Sequence, residues 1–235
     1  MKMFLIAVVC SLFLVLSAKE LKSLPESTKE TSIGRTFTHN VRRTKGKVFL
    51  KGFRPIAQKG PTCLRYSTVM ILRYFHCNVI PREFKGERMI DDILYRYGFK
   101  SISLVLPLKN QTLFANSIKK AIDNGIPIQW GVNLRNSPSA FDRRAVIGKS
   151  NDGHARVITG YLHQDEVLTG IIYADSWGKS KNLNKEMNIN SAYRMTHGLR
   201  LIYPKDLDKK TEDKLTSSPA EPNRHKSSNF SKREL

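Results

Sequence analysis

The sequence predicts an α+β domain whose helical half precedes an antiparallel sheet. Two observations carry that reading. Between residues 46 and 205, apolar residues first recur at helical spacing and then fall into short runs of Ile, Val, Tyr and Trp separated by Gly and Asp. Helices followed by strands, without regular alternation, exclude a doubly wound fold. The 40% hydrophobic content is enough for one buried core, and there is no internal repeat.

Taken in order, residues 1–18, MKMFLIAVVCSLFLVLSA, join an early Lys to an apolar stretch and a small-residue end. This is the pattern of a secretory signal peptide; a short anchoring helix is the alternative, although so short an apolar stretch barely spans a bilayer. No later segment is long enough to cross a membrane, so no stable span is expected in the mature chain. Residues 19–45 are polar and basic and read as a linker or short pro-region, and residues 46–205 as the folded domain.

Within it, KVFLKGFRPIAQ suggests a strand leading to a turn at 59–61. Residues 63–76 are apolar over most of a helical circumference, a central buried helix with Thr62 as N-cap and Cys63 as first residue. IPREFKGERMIDDILYRYGF reads as one or two short helices. NQTLFANSIKKAIDNG spaces Leu113, Ile118 and Ile122 helically and stops at Gly125. IPIQWGVNL, ARVITGYL, LTGIIYADSW and GLRLIYP read as strands. The tail from about 206 to 235 is rich in Ser, Lys, Glu and Pro and is expected to be disordered.

The formal net charge is +20, and most of the excess falls on residues 46–205. Such a field attracts anionic partners, whether acidic peptides, cell-wall polymers, membrane surfaces or nucleic acid, and names none of them; an acidic peptide or protein substrate is one that fits. No basic helix with interleaved aromatics appears, and specific nucleic-acid binding is not expected.

The chemistry starts from Cys63. A helix N-terminus offers unpaired N–H groups and partial positive charge, which favour a thiolate. Loss of the signal removes Cys10 and leaves Cys63 and Cys77. A disulfide between them is the ordinary expectation for an exported chain. One intact helix between them sets their Cα atoms roughly 21 Å apart, far beyond disulfide reach. Cys63 is therefore expected to be a reactive thiol and Cys77 a small buried residue.

A nucleophilic cysteine needs a base and a group to orient it. Of the six histidines, His154 stands at the opening of a strand in NDGHARVITGY. If that strand and LTGIIYADSWG form a hairpin with Tyr161 opposite Leu168 and a six-residue loop, His154 falls opposite Asp175 and both point to one face. A structural His–Asp pair is the alternative for these two alone.

DGHARVITGY…ADSWG resembles the His and Asn-Ser-Trp-Gly blocks of papain-like cysteine peptidases, and AQKGPTC before a buried helix is similar to their glutamine and nucleophile block. Asp in place of Asn and the compact length look closer to the double-glycine-leader (bacteriocin-processing) peptidases, in a stand-alone secreted form. The resemblance implies the papain-like fold, with the nucleophile on the helical half and His and Asp on the sheet. Cys63 would be the nucleophile, His154 the general base and acid, and Asp175 the residue that orients His154. Gln58 would be an oxyanion donor. Trp177 would shield the His–carboxylate pair at the substrate-binding face, with ordinary core packing as its alternative. No cofactor or metal is implied.

Leu64, Arg65 and Tyr66 replace the usual small residues after the nucleophile, and Gln58 is one position nearer to Cys63 than in papain. Arg65 and Arg156 either add positive charge near the site or lie on solvated surface, and the second reading is preferred for both. The same residues also suit a transglutaminase-like or other thioester acyl transfer, or an inactive binding module. Export to the periplasm or the exterior is expected; in a eukaryote the terminal KREL would mean retention in the endoplasmic reticulum lumen.

Overall fold

The computed structural model describes residues 37–60, 62–80, 90–104, 110–149, 152–177 and 184–217. The expected signal segment and the chain beyond 217 lie outside the described residues. The helices are α1 Cys63–Tyr74, α2 Ile90–Arg96, α3 Gln111–Asp123, α4 Ala140–Ala145, α5 Ile189–Met195 and α6 Lys209–Thr216. The strands are β1 Val41–Thr44, β2 Lys47–Leu50, β3 Phe99–Leu104, β4 Ile128–Asn133, β5 Gly153–Gln164, β6 Val167–Ala174, β7 Asn184–Asn188 and β8 Thr196–Pro204. The fold is α+β, with helices packed on one antiparallel sheet, as expected.

The strands form one antiparallel sheet in the order β1-β2-β5-β4-β8-β3, with β6 on β5 and β7 on β6. Strand β5 is the hub, paired with β2, β4 and β6. Its length lets β4 hold the stretch 153–158 and β2 the stretch 160–162. Gly160 is what admits β2: a Cβ there would stand 2.5 Å from the Val48 carbonyl oxygen. Helix α1 lies against β5 and β4, and its run Val69–Leu72 is essentially inaccessible to solvent.

Helix α1 starts at Cys63 and stops two residues earlier than its apolar pattern suggested. His76 adopts a left-handed conformation (φ 64°), the Cys77 N–H bonds the Leu72 carbonyl, and the His76 N–H bonds the Arg73 carbonyl. This Schellman closure satisfies the last carbonyls of the helix. Thr62 occupies the N-cap position, but its hydroxyl donates to the Lys59 carbonyl and makes no cap bond.

Regular structure reaches past both expected domain bounds. Strand β1 occupies part of the presumed linker, and Phe37 is buried with its ring 4.7 Å from that of Phe75. Helix α6 lies in the presumed disordered tail. Asp208 caps it by accepting from the Thr211 N–H, and Leu215 is buried. Strands β3 and β7 were not anticipated, because each sits at an edge and its sequence, FKSISL or NKEMN, lacks a continuous apolar face.

Candidate active site

The start of α1 is tied to the sheet by a buried polar cluster. The Gln129 side-chain amide on β4 donates to the hydroxyls of Ser67 (2.8 Å) and Thr68 (2.9 Å). Those hydroxyls donate in turn to the Leu64 carbonyl, at 2.8 and 2.9 Å. All three side chains are buried, so the cluster fixes the first turn, and with it Cys63, against β4. Cys63 and Cys77 sit at opposite ends of α1 and share no disulfide; Cys77 is half-buried rather than buried.

His154 and Asp175 come together on the β5–β6 hairpin, but not by the expected register. Gln164 pairs with Val167, so the connection is the two-residue turn Asp165–Glu166 and not a six-residue loop. Both turn residues have positive φ, 47° and 66°, as a type I′ hairpin turn requires. Tyr161 faces Ile171, and after two irregularities the last ladder pair is Val157–Ala174. Continued past that pair, the register sets Arg156 against Asp175 and His154 against Trp177. His154 and Asp175 are therefore diagonal neighbours. They still share a face because the shift from the expected register is even.

The contacts follow that register. His154 Nε2 lies 2.9 Å from Asp175 Oδ1, with both side chains withdrawn from solvent. The Trp177 ring stacks on the imidazole, with centroids 4.4 Å apart and planes 27° from parallel. Arg156 Nε donates to Asp175 Oδ2 at 3.0 Å. Its other end donates to Asp142 Oδ2 on α4 at 2.7 Å, and the side chain is fully buried. The reading of Arg156 as solvated surface is thus overturned. A guanidinium flanked by Ala155 and Val157 had a readable signal: it lies two residues from His154, and so on the same face. Its partner Asp142 had none, since nothing in the sequence links α4 to the hairpin.

The electrostatics of the row are directional. Burial pushes the Cys63 thiol up, but His154 and the backbone N–H groups of Ala155 and Leu64 together hold it below its ordinary value. Burial pulls His154 down, and Asp175 and Cys63 outweigh it, so the imidazolium is favoured. Burial would raise Asp175, yet His154, Arg156 and the Trp177 N–H hold its carboxyl well below the usual carboxylate range. With Nε2 on Asp175, the other ring nitrogen, Nδ1, is buried without a hydrogen-bond partner among the described residues. Nδ1 is therefore the ring nitrogen left for the interaction with Cys63. Each group thus shifts the other in the direction that a thiolate–imidazolium pair requires, the thiol down and the imidazole up.

Gln58 is clamped beside the row. Its backbone N–H donates to the Ser176 carbonyl at 2.9 Å, and its side-chain oxygen accepts from the Ser176 hydroxyl. Its Nε2 donates to the Gly60 carbonyl at 2.7 Å, which leaves a second amide hydrogen for another acceptor. Ser176, buried between Asp175 and Trp177, was not singled out from the sequence.

Residues 51–200 match the model of a family described as the Peptidase_C39 like family. No curated protein matches the chain.

Proposed function

This chain belongs to the Peptidase_C39-like family, a papain-like family of the C39 type; from that premise we propose that it is a cysteine peptidase, hydrolysing peptide bonds through a thioester on Cys63. The Cys63 thiolate attacks the scissile carbonyl carbon. The resulting oxyanion meets the Cys63 backbone N–H and the second Gln58 amide hydrogen, donors worth roughly 10²–10³ in rate each. The tetrahedral adduct collapses as the Nδ1 proton of His154 passes to the departing amine, leaving an acyl-thioester and a neutral imidazole. That imidazole takes a proton from water, the hydroxide adds to the thioester, and the thiolate departs with the acid product released. Asp175 holds the ring in the orientation that both transfers need.

The observation that supports this reading is the buried row from Asp175 through His154 to a cysteine at a helix N-terminus. An acidic peptide suits the basic surface, and export suits the composition of residues 1–18. The test is cleavage of a peptide library by the chain and by Cys63→Ala, with products identified by mass. Hydrolysis products lost in Cys63→Ala are expected. Transfer to an added amine in preference to water would replace hydrolysis by acyl transfer. A Cys63 that forms no acyl-enzyme would sink both.

A further inference from the structure

We propose that Arg156 and Asp142 form a buried charge relay that positions Asp175 and sets the pH above which Cys63 is a thiolate. The proposal rests on the peptidase reading and concerns residues that reading does not use. Arg156 is fully buried and reaches two carboxylates at once, Asp175 at 3.0 Å and Asp142 at 2.7 Å. Its guanidinium also lies 5.1 Å from the Tyr173 ring centre and 6.0 Å from that of Trp130. Asp142 is itself buried and accepts from the Ser137 hydroxyl at 2.7 Å. Asp142 reaches the row from outside the hairpin, on α4 between β4 and β5.

Charge balance links this pair to Cys63. A carboxylate beside the imidazolium and thiolate leaves the row one negative charge in excess. That excess opposes ionisation of the thiol. The charged groups that face the row are Cys63 on α1, His154 and Arg156 on β5, Asp175 after β6, Asp142 on α4 and Lys185 on β7, whose ammonium is 3.2 Å from Asp175. Tyr173 is pushed up to about 12 and stays neutral. With Cys63 as thiolate and His154 as imidazolium, these six charges cancel. Arg156 therefore favours the thiolate, and Asp142 moderates Arg156. Removing Arg156 makes the row more negative and should move thiol ionisation to higher pH. Removing the charge of Asp142 should do the opposite. A merely structural tie would shift neither, or both alike.

The test is the rate of Cys63 alkylation by iodoacetamide as a function of pH, followed by mass so that Cys77 is read separately. It is run on the wild-type chain, Arg156→Met, Arg156→Lys and Asp142→Asn, with thermal melting as the check on folding. The acid limb should rise by about one pH unit in Arg156→Met and fall by a comparable amount in Asp142→Asn, the scale of a nearby charge. Arg156→Lys should lie between wild type and Arg156→Met. Limbs that stay put, or move the same way in folded protein, overturn the relay. Should Arg156→Met fail to fold, the direction of the Asp142→Asn shift decides alone. Loss of folding in both Asp142→Asn and Arg156→Lys would make the pair a structural tie and also overturn it. A wild-type Cys63 that titrates like an ordinary thiol, near pH 8.5, would instead count against the peptidase reading.

Discussion

Asp175 receives four donors: His154 and the Trp177 N–H on one oxygen, Arg156 and Lys185 on the other. In papain-like sites an asparagine can orient the imidazole, but here an amide would turn its NH2 toward one of two donor pairs. Asp175→Asn should therefore lower stability by about 3–5 kcal/mol, the cost of breaking a buried ion pair, and lower turnover with it. An unchanged melting midpoint would show that the row tolerates a neutral residue. The pH dependence has a defined sign. The carboxyl is depressed in the fold, so its contribution is present above the unfolded carboxylate value, about 3.9, and is lost as pH falls through the lower folded value. His154 is raised, so its contribution is complete below about 6.5 and is lost as pH rises through its folded value. The depressed Cys63 thiol has the opposite sign, so the His154 effect is read on a Cys63→Ala background. There, raising the pH above neutrality should lower the melting midpoint, and adding His154→Gln should flatten that decline; an equally steep decline would assign it to another group.

The β5–β6 hairpin shows what could and could not be read from the chain. The two strands were legible as short runs rich in Ile, Val and Tyr bounded by Gly and Asp, and the shared face of His154 and Asp175 because successive side chains of any strand alternate between faces. The register was not, because Gln164-Asp165-Glu166-Val167 contains no glycine to announce a two-residue turn. Asp and Glu occupy left-handed positions there, and Glu166 bears a cost that Gly would avoid. Glu166→Gly should raise the melting midpoint, by an amount equivalent to roughly 0.5–1 kcal/mol, with no change in activity; a lower midpoint would mean that the Glu166 side chain contributes more than its backbone costs. At the other end of β5, Gly160→Ala forces a Cβ onto Val48 and Phe49. It should cost about 1–3 kcal/mol by overpacking. Hydrogen exchange of β2 amides would reveal the damage; unchanged protection there would place the accommodation elsewhere.

Across the whole molecule, most of the formal charge of +20 resides in residues 46–205, where it can draw an anionic substrate toward the site. For an acidic peptide, kcat/KM should fall severalfold as ionic strength rises from about 0.01 M to 0.15 M, because the screening length shrinks from about 30 Å to about 8 Å. A flat response would leave the charge a matter of solubility. The parts of the active row also become available at different times. His154 and Asp175 are 21 residues apart on one hairpin, whereas the Cys63 helix precedes both. A ribosome therefore delivers the thiol long before anything that can ionise it. While the growing chain ends short of His154, Cys63 lacks the imidazole that lowers its thiol, and Asp175, which holds that imidazole, follows 21 residues later. On the mechanism proposed above, completion of the hairpin arms it, and the order of synthesis alone would guard the unfinished polypeptide against its own chemistry.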